Sequence, residues 1–296
     1  MVSPVSEERR LDIIEREVPL SGFTTWNVGG PARYFCEPES LEQLRQAMTF
    51  ADEFELETEF LGNGSNLLVP DEGFDGLAVR LGPSFGNVEN DGNLIKASAG
   101  TPLYKLADVA NKAGSSCFNF LTGIPGTVGG GLVMNAGAFG SEISDYLANL
   151  TYLDPPGEVH EVSQEDIRYN YRSSPFQGTS DKIILEAEFE LNQDESQPDM
   201  SEILELRREK FPYSNPSAGS VFKNPTEAEM TAGQLLDEVG AKGFSVGDAA
   251  VSHQHANFIL NKGHATAKNI QKAIDILRDR VYKEFGVTLV TEIVVI

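Results

Sequence analysis

The sequence predicts an α+β protein, and three observations carry that expectation. Apolar residues recur at helical spacing behind capping residues at Ser40, Thr231 and Thr266. Two apolar runs flank the turn Asp154-Pro155-Pro156-Gly157 as a hairpin. A glycine-dense stretch from Gly123 to Gly140 lies between a helical segment and that hairpin.

Composition bounds what such a fold does. A chain of 296 residues, 40% hydrophobic and 9% aromatic, is long enough for two or three domains with their own cores. The formal net charge of −22 repels phosphate polymers and argues against a nucleic-acid or anionic-membrane surface. Any anionic ligand must then be held by local features. The two cysteines, Cys36 and Cys117, sit in apolar surroundings outside any CxxC spacing and read as reduced core residues, which suits the cytoplasm. Residues 1–19 alternate acidic and basic side chains with no apolar core, so neither signal peptide nor anchor is expected. Four dispersed histidines give no metal site.

Taken in order, a turn-rich segment, Thr24-Thr25-Trp26-Asn27-Val28-Gly29-Gly30-Pro31-Ala32, leads into a strand at 33–37. Ser40 caps the next helix with Gln43 three residues on, and Leu41, Leu44, Ala47, Met48 and Ala51 form its apolar face. A strand at 58–61 runs into Gly62-Asn63-Gly64-Ser65-Asn66, small residues whose N–H groups make a candidate phosphate cradle. Strands at 77–81 and 94–99 precede a helix opening at Thr101-Pro102, with proline in its first position, and ending near Gly114. After the hairpin of 150–153 and 159–162 comes a long strand at 182–191, and the polar, acidic stretch 192–199 reads as a domain boundary. Helices at 201–210, 232–239 and from Thr266 to Phe285, with strands at 249–252, 256–260 and 287–296, complete the chain.

The central feature is the uncharged run. No Asp, Glu, Lys or Arg occurs from 113 to 141, and seven glycines fall between Gly123 and Gly140. Asn119, Thr122, Pro125, Thr127 and Asn135 make it a poor membrane span. Two readings stay open on composition alone: a buried turn between core strands, or a nest of main-chain N–H groups around a phosphate. Gly62-Asn63-Gly64-Ser65-Asn66-Leu67 breaks the Gly-x-Gly-x-x-Gly fingerprint at its last position, which argues against a separate Rossmann nucleotide site.

Four blocks now line up with one family. The segments 24–32, 61–71, Gly123 to Gly140, and Tyr171-Arg172-Ser173-Ser174-Pro175-Phe176 resemble the flavin domain of the UDP-N-acetylenolpyruvoylglucosamine reductases. The second half, Ala218-Gly219-Ser220-Val221-Phe222-Lys223-Asn224-Pro225, the stretch 251–261 and the tail around Glu292, is similar to their substrate domain. The form resembled is the shorter one, without the tyrosine-bearing loop of longer members.

The resemblance implies a vanillyl-alcohol-oxidase or PCMH type of FAD-binding domain over 1–195, in subdomains of about 1–85 and 86–195, with strand 287–296 returning to it. It also implies a substrate domain over 196–286. The implied cofactor is non-covalent FAD, with NADPH as co-substrate and one cleft serving both substrates in turn. Cofactor contacts are then expected from Gly62, Asn63, Gly64, Ser65, Asn66, Gly123, Ile124, Pro125, Gly126, Thr127, Gly129, Gly130, Asn135, Ala136 and Gly137. Ser220 is implied as proton donor, Arg172 as the charge facing a developing enediolate, and Glu292 as a carboxyl near the same carbon. Tyr171, Lys223 and Asn224 are expected at the substrate, a small UDP-sugar enolpyruvyl ether bound by a monomer with no nucleic-acid or membrane partner.

Each residue also has an ordinary role open to it. Arg172 reads as an ion-paired residue, Ser220 as a turn hydroxyl, Lys223 as a strand-edge charge, and His253 and His255 as structural. Glu292 in an apolar strand is less ordinary, because a buried carboxylate costs free energy unless it is paired. Another flavin oxidase of the same fold, or a catalytically silent flavin or nucleotide-sugar binder, are the competing functions.

Overall fold

A computed structural model describes residues 12–154, 157–192, 198–213 and 215–296. The leader expectation for 1–19, the prolines of the Asp154–Gly157 turn and the 192–199 boundary therefore lie partly or wholly outside the described residues. The chain divides into two compact units: Met1–Val18, Arg33–Asn63 and Asp75–Glu205 form one, and Pro19–Ala32, Gly64–Phe74 and Leu206–Ile296 the other.

The first unit carries two sheets. A four-stranded sheet has the order Ile14–Pro19, Pro31–Cys36, Phe74–Arg80, Thr58–Leu61, the last two strands parallel. A five-stranded antiparallel sheet has the order Glu158–Ser163, Leu147–Asp154, Ile183–Glu190, Leu94–Ser98, Val88–Asp91. Helix α1 (Leu41–Glu53) starts as expected at Ser40, whose side chain accepts from Gln43 N, while Gln43 Oε1 reaches back to Glu39 N. Its buried Leu44, Ala47, Met48 and Ala51 lie on one face. Helix α2 (Leu103–Lys112) buries Leu103, Leu106, Ala107 and Ala110. Here Pro102 is the N-cap and not the first helical residue: its extended ψ of 137° lets Thr101 O and Leu103 N pair with the segment around Thr127. Helix α3 (Val128–Met134) lies inside the glycine run itself.

The division passes through helix α4 (Met200–Lys210). In the second unit, α5 (Ala232–Glu238) and α6 (Ala267–Phe285) both open with full capping boxes, Thr231 with Gln234 and Thr266 with Asn269. Gly286, at φ 69°, ends α6. The α6 start has a further cap that no sequence spacing announces, since Asp71 accepts from Ala267 N at 2.7 Å and Lys268 N at 3.0 Å. A small antiparallel sheet, Ser245–Val246, Ala249–Val251 and Ile259–Asn261, packs beside these helices.

Three expectations are corrected. The strand placed at 256–260 begins only at Ile259, because Phe258 N turns back to His255 O. The terminal strand 287–296 reduces to Val294–Val295, parallel to Leu67–Leu68, while Thr291 forms an isolated bridge with Phe222. The tail belongs with the second unit and not with the first, and so do 19–32 and 64–74. The reason is burial: Trp26, Val28 and Leu68 fill the same apolar core as Phe222, Leu277, Leu289 and Ile293.

Candidate functional site

In the first unit the strand Thr58–Leu61 delivers Gly62 against the start of α3. A Cβ on residue 62 would lie 2.7 Å from Thr127 Oγ1, so only glycine permits this approach. Two of the sequence blocks are thereby brought together. Thr127 caps α3 by accepting from Gly130 N, and the next donors are also spent, Val128 N on Thr101 O and Gly129 N on Ala99 O. The run is thus not an open nest along its whole length, as its composition suggests. Among the described residues of this part of the loop, the N–H groups of Gly62, Asn63, Gly123, Gly126 and Thr127 have no protein acceptor, while those of Phe139 and Gly140 lie likewise unbonded at the far end of the run. That donor set is main chain only and uncharged, which fits the diphosphate of a flavin dinucleotide inside a strongly acidic protein. Gly129 serves packing, since a Cβ there would meet Ala99 Cβ at 2.9 Å. Gly130 is exposed, and Ile124 N and Ala136 N are bonded back to Leu121 O and Gly131 O.

The Tyr171-Arg172 block clasps the far end of the same run. Arg172 holds a left-handed φ of 49° and sends its guanidinium to Asn135 O and Gly137 O. It lies 3.6 Å from the Glu142 carboxylate with its side chain 16% exposed, and 5.0 Å from the ring of Tyr171, which is 41% exposed. Ser174 Oγ donates to Val133 O. Asn135, fully buried and left-handed at φ 48°, spends its amide on Glu142, Asn170 O and Ser144 N. The side-chain amide of Asn135 is thus committed within the protein.

In the second unit Gly64 is glycine for chain packing, because at φ 58° a Cβ would fall 1.9 Å from Phe23 O. Ser65 is half-buried beside it. Asn66 faces the tail: its amide donates to Glu292 O at 2.9 Å and its carbonyl accepts from Val294 N. The segment after Ser220 is held on both edges. Glu292 N donates to Val221 O at 2.8 Å and Lys223 N to Val290 O at 2.9 Å on one side. On the other, Val221 N donates to Asn257 O, while the Asn257 side chain accepts from Phe222 N and donates to Phe222 O. Ser220 and Glu292 are thus close along a shared main-chain ladder. The half-buried Ser220 hydroxyl has no protein partner among the described residues. Asn224 is exposed, its Oδ1 accepting from Ala232 N at the start of α5, and Lys223 is half-buried.

Asn257, Asp71 and the Asn66–Glu292 link are missed by sequence reasoning. Their only signal is a short polar residue inside an apolar or turn-rich segment. Burial, with Glu57 nearby, pushes the Glu59 carboxyl up to about 7 on the strand leading to Gly62. Burial lowers His255, whose ring packs against Phe211 and Phe258 and accepts from Asn257 N, a structural role. A depression of about 610 Å³ bordered by Glu142, Asp145, Glu165 and Asp166 also lies in the first unit. Four carboxylates against one arginine, Arg168, make it the wrong place for an anion.

Comparison with known proteins agrees with both halves of this description. A family model described as an FAD binding domain matches residues 32–163, and one described as the C-terminal domain of UDP-N-acetylenolpyruvoylglucosamine reductase matches 211–296. The chain is 39% identical to UDP-N-acetylenolpyruvoylglucosamine reductase 2 of Symbiobacterium thermophilum, over 99% of this chain and 96% of that one. It is 37% identical to the UDP-N-acetylenolpyruvoylglucosamine reductase of Anoxybacillus flavithermus, over 94% and 92%. The crystal structure of UDP-N-acetylenolpyruvylglucosamine reductase from Thermus caldophilus superposes with a TM-score of 0.79 at 35% identity, covering 95% of this chain and 98% of that one. The α+β fold with an FAD-binding domain is thereby borne out, and relatives this similar along almost the whole chain mean that it belongs to the UDP-N-acetylenolpyruvoylglucosamine reductase family.

Proposed function

We propose that the chain reduces the enolpyruvyl ether of UDP-N-acetylglucosamine to UDP-N-acetylmuramate, an NADPH-dependent step of peptidoglycan precursor synthesis in the cytoplasm. Membership of the family and the FAD-binding domain make it a flavin-dependent oxidoreductase. FAD, when bound, supplies a two-electron carrier between NADPH and the enolpyruvyl CH2 carbon.

The protein's own part is to bind, orient and protonate. Main-chain N–H groups of Gly62, Asn63, Gly123, Gly126 and Thr127 hold the cofactor diphosphate without adding cationic side chains, and Ile124 and Pro125 shape the loop between them. Hydride arriving at an enol ether conjugated to a carboxylate pushes electrons onto that carboxylate, and the resulting enediolate needs positive charge and then a proton at the neighbouring carbon. Arg172 supplies the charge, Ser220 Oγ–H the proton, and Glu292 orients that donor. Tyr171, Lys223 and Asn224 contact the substrate's polar groups. A serine hydroxyl is a weak acid, so the assignment requires a strongly basic intermediate and a donor held in place.

The observation supporting this most directly is the Ser220 hydroxyl, half-buried and without a protein partner among the described residues while the next three residues are fixed beside Glu292. The test is stopped-flow of the flavin-loaded protein, NADPH first and the enolpyruvyl UDP-sugar second. Ser220→Ala is expected to leave bleaching by NADPH nearly intact and to slow reoxidation by the UDP-sugar by about 100-fold or more. Equal losses in both steps would overturn the role of Ser220, and a protein that carries no flavin would overturn the whole reading.

A further inference from the structure

We infer that Asn257 is the residue that positions the Ser220 hydroxyl, a role that rests on the reading of Ser220 as proton donor. Asn257 is 4% exposed, so its amide is removed from water and must find protein partners. It finds them on one residue: Phe222 N donates to Oδ1 at 2.9 Å and Nδ2 donates to Phe222 O at 2.8 Å. A side chain here does what a neighbouring strand does elsewhere, pairing with both polar groups of a single residue. The main chain of Asn257 adds a third bond, from Val221 N at 2.9 Å.

The opposite edge of the same segment is held by Val290 O and Glu292 N. Residues 221–223 are therefore fixed from both sides, on one by Asn257 and on the other by the backbone of the proposed carboxyl residue. Ser220 follows Gly219, whose φ of 74° turns the chain into this segment, and its immediate downstream neighbours are the residues hydrogen-bonded on both edges. The direction of the Ser220 side chain is set from downstream. Asn257 itself is pinned, since its N–H donates to His255 Nδ1. Proton delivery depends steeply on donor geometry, so this clamp is worth far more to the protonation step than to flavin reduction, in which Ser220 gives up no proton.

The experiment is a two-residue cycle read on the holoenzyme in the two half-reactions. Asn257→Ser removes the double contact, and Asn257→Asp keeps the acceptor for Phe222 N while losing the donor. Each is expected to slow reoxidation by the enolpyruvyl UDP-sugar at least about tenfold and to change reduction by NADPH less than about twofold. Combined with Ser220→Ala, neither is expected to slow reoxidation further, because the group being aimed is gone. Amide exchange of the peptide spanning 218–224 is expected to quicken in both variants, with the rest of the second unit unchanged. Equal slowing of both half-reactions, additive losses in the double variant, unchanged exchange at 218–224, or loss of folding in both variants would each overturn the positioning role. A Ser220→Ala protein that reoxidises at the wild-type rate would instead refute the proton-donor reading.

Discussion

Replacing Arg172 by lysine keeps a positive charge and removes a planar fork. The fork here serves two carbonyls of one loop, Asn135 O and Gly137 O, and stands 3.6 Å from Glu142 with only 16% of its side chain exposed. A hydrogen bond from a charged donor contributes ~1.5–3 kcal/mol, and a lysine ammonium on a different stem recovers at most one of the two. The net loss is then about 2–3 kcal/mol, which for a unit of this size lowers the melting temperature by roughly 4–10 °C. The assay is thermal unfolding of flavin-free protein, so that ligand binding does not mask the change. Arg172→Gly sharpens the test. It removes the left-handed strain at φ 49°, worth ~1 kcal/mol, but forfeits both bonds and leaves Glu142 without its ion pair, so it should be less stable than the lysine variant. A lysine variant that melts within about 1 °C of the wild type would refute the argument that this guanidinium holds the loop.

The charge at Glu59 makes stability depend on pH. Burial pushes its folded-state pKa up to about 7 from an ordinary 4.5, so the folded protein binds the extra proton between those values and loses stability as pH rises through that window. Glu59→Gln should therefore be more stable than the wild type at pH 8, by up to about 3 kcal/mol, and no more stable below about pH 4, as chemical denaturation at the two pH values would show. Asp71→Ala should destabilise the second unit by about 1–2 kcal/mol in thermal unfolding, because the first turn of α6 loses two N–H acceptors and a favourable charge. An Asp71→Asn protein that retains most of that stability would assign the effect to hydrogen bonding and not to charge.

Local structure was legible where a signal and its partner lie within one turn. Ser40, Thr231 and Thr266 cap the helices assigned to them because their partners are three residues away. Asp71 caps α6 across 196 residues, and Asn66 holds Glu292 across 226, so nothing in the linear pattern announces either. The tail shows the same limit from the other side. An apolar stretch from 287 to 296 looks like one strand, but its backbone is shared between Phe222, by an isolated bridge at Thr291, and Leu67–Leu68, by a two-residue pairing. Long-range hydrogen bonding overrides the local propensity.

The glycines show how far composition reaches into a binding site. Gly62 and Gly64 stand one residue apart and look alike in sequence, yet the first is required by the Thr127 hydroxyl and the second by the carbonyl of Phe23. An uncharged run can be recognised as a place where N–H groups are not hidden by side chains. Whether those groups are available depends on which of them the fold has already used. At the start of α3 it has used the donors of 128, 129 and 130, so the helix terminus itself has little left for an anion, and on the proposed reading the contact falls to the loop donors at 123, 126 and 127 together with 62 and 63. Substituting residues in α3 should consequently affect packing before it affects cofactor affinity, whereas an N–H removed at 126 or 127 should do the reverse.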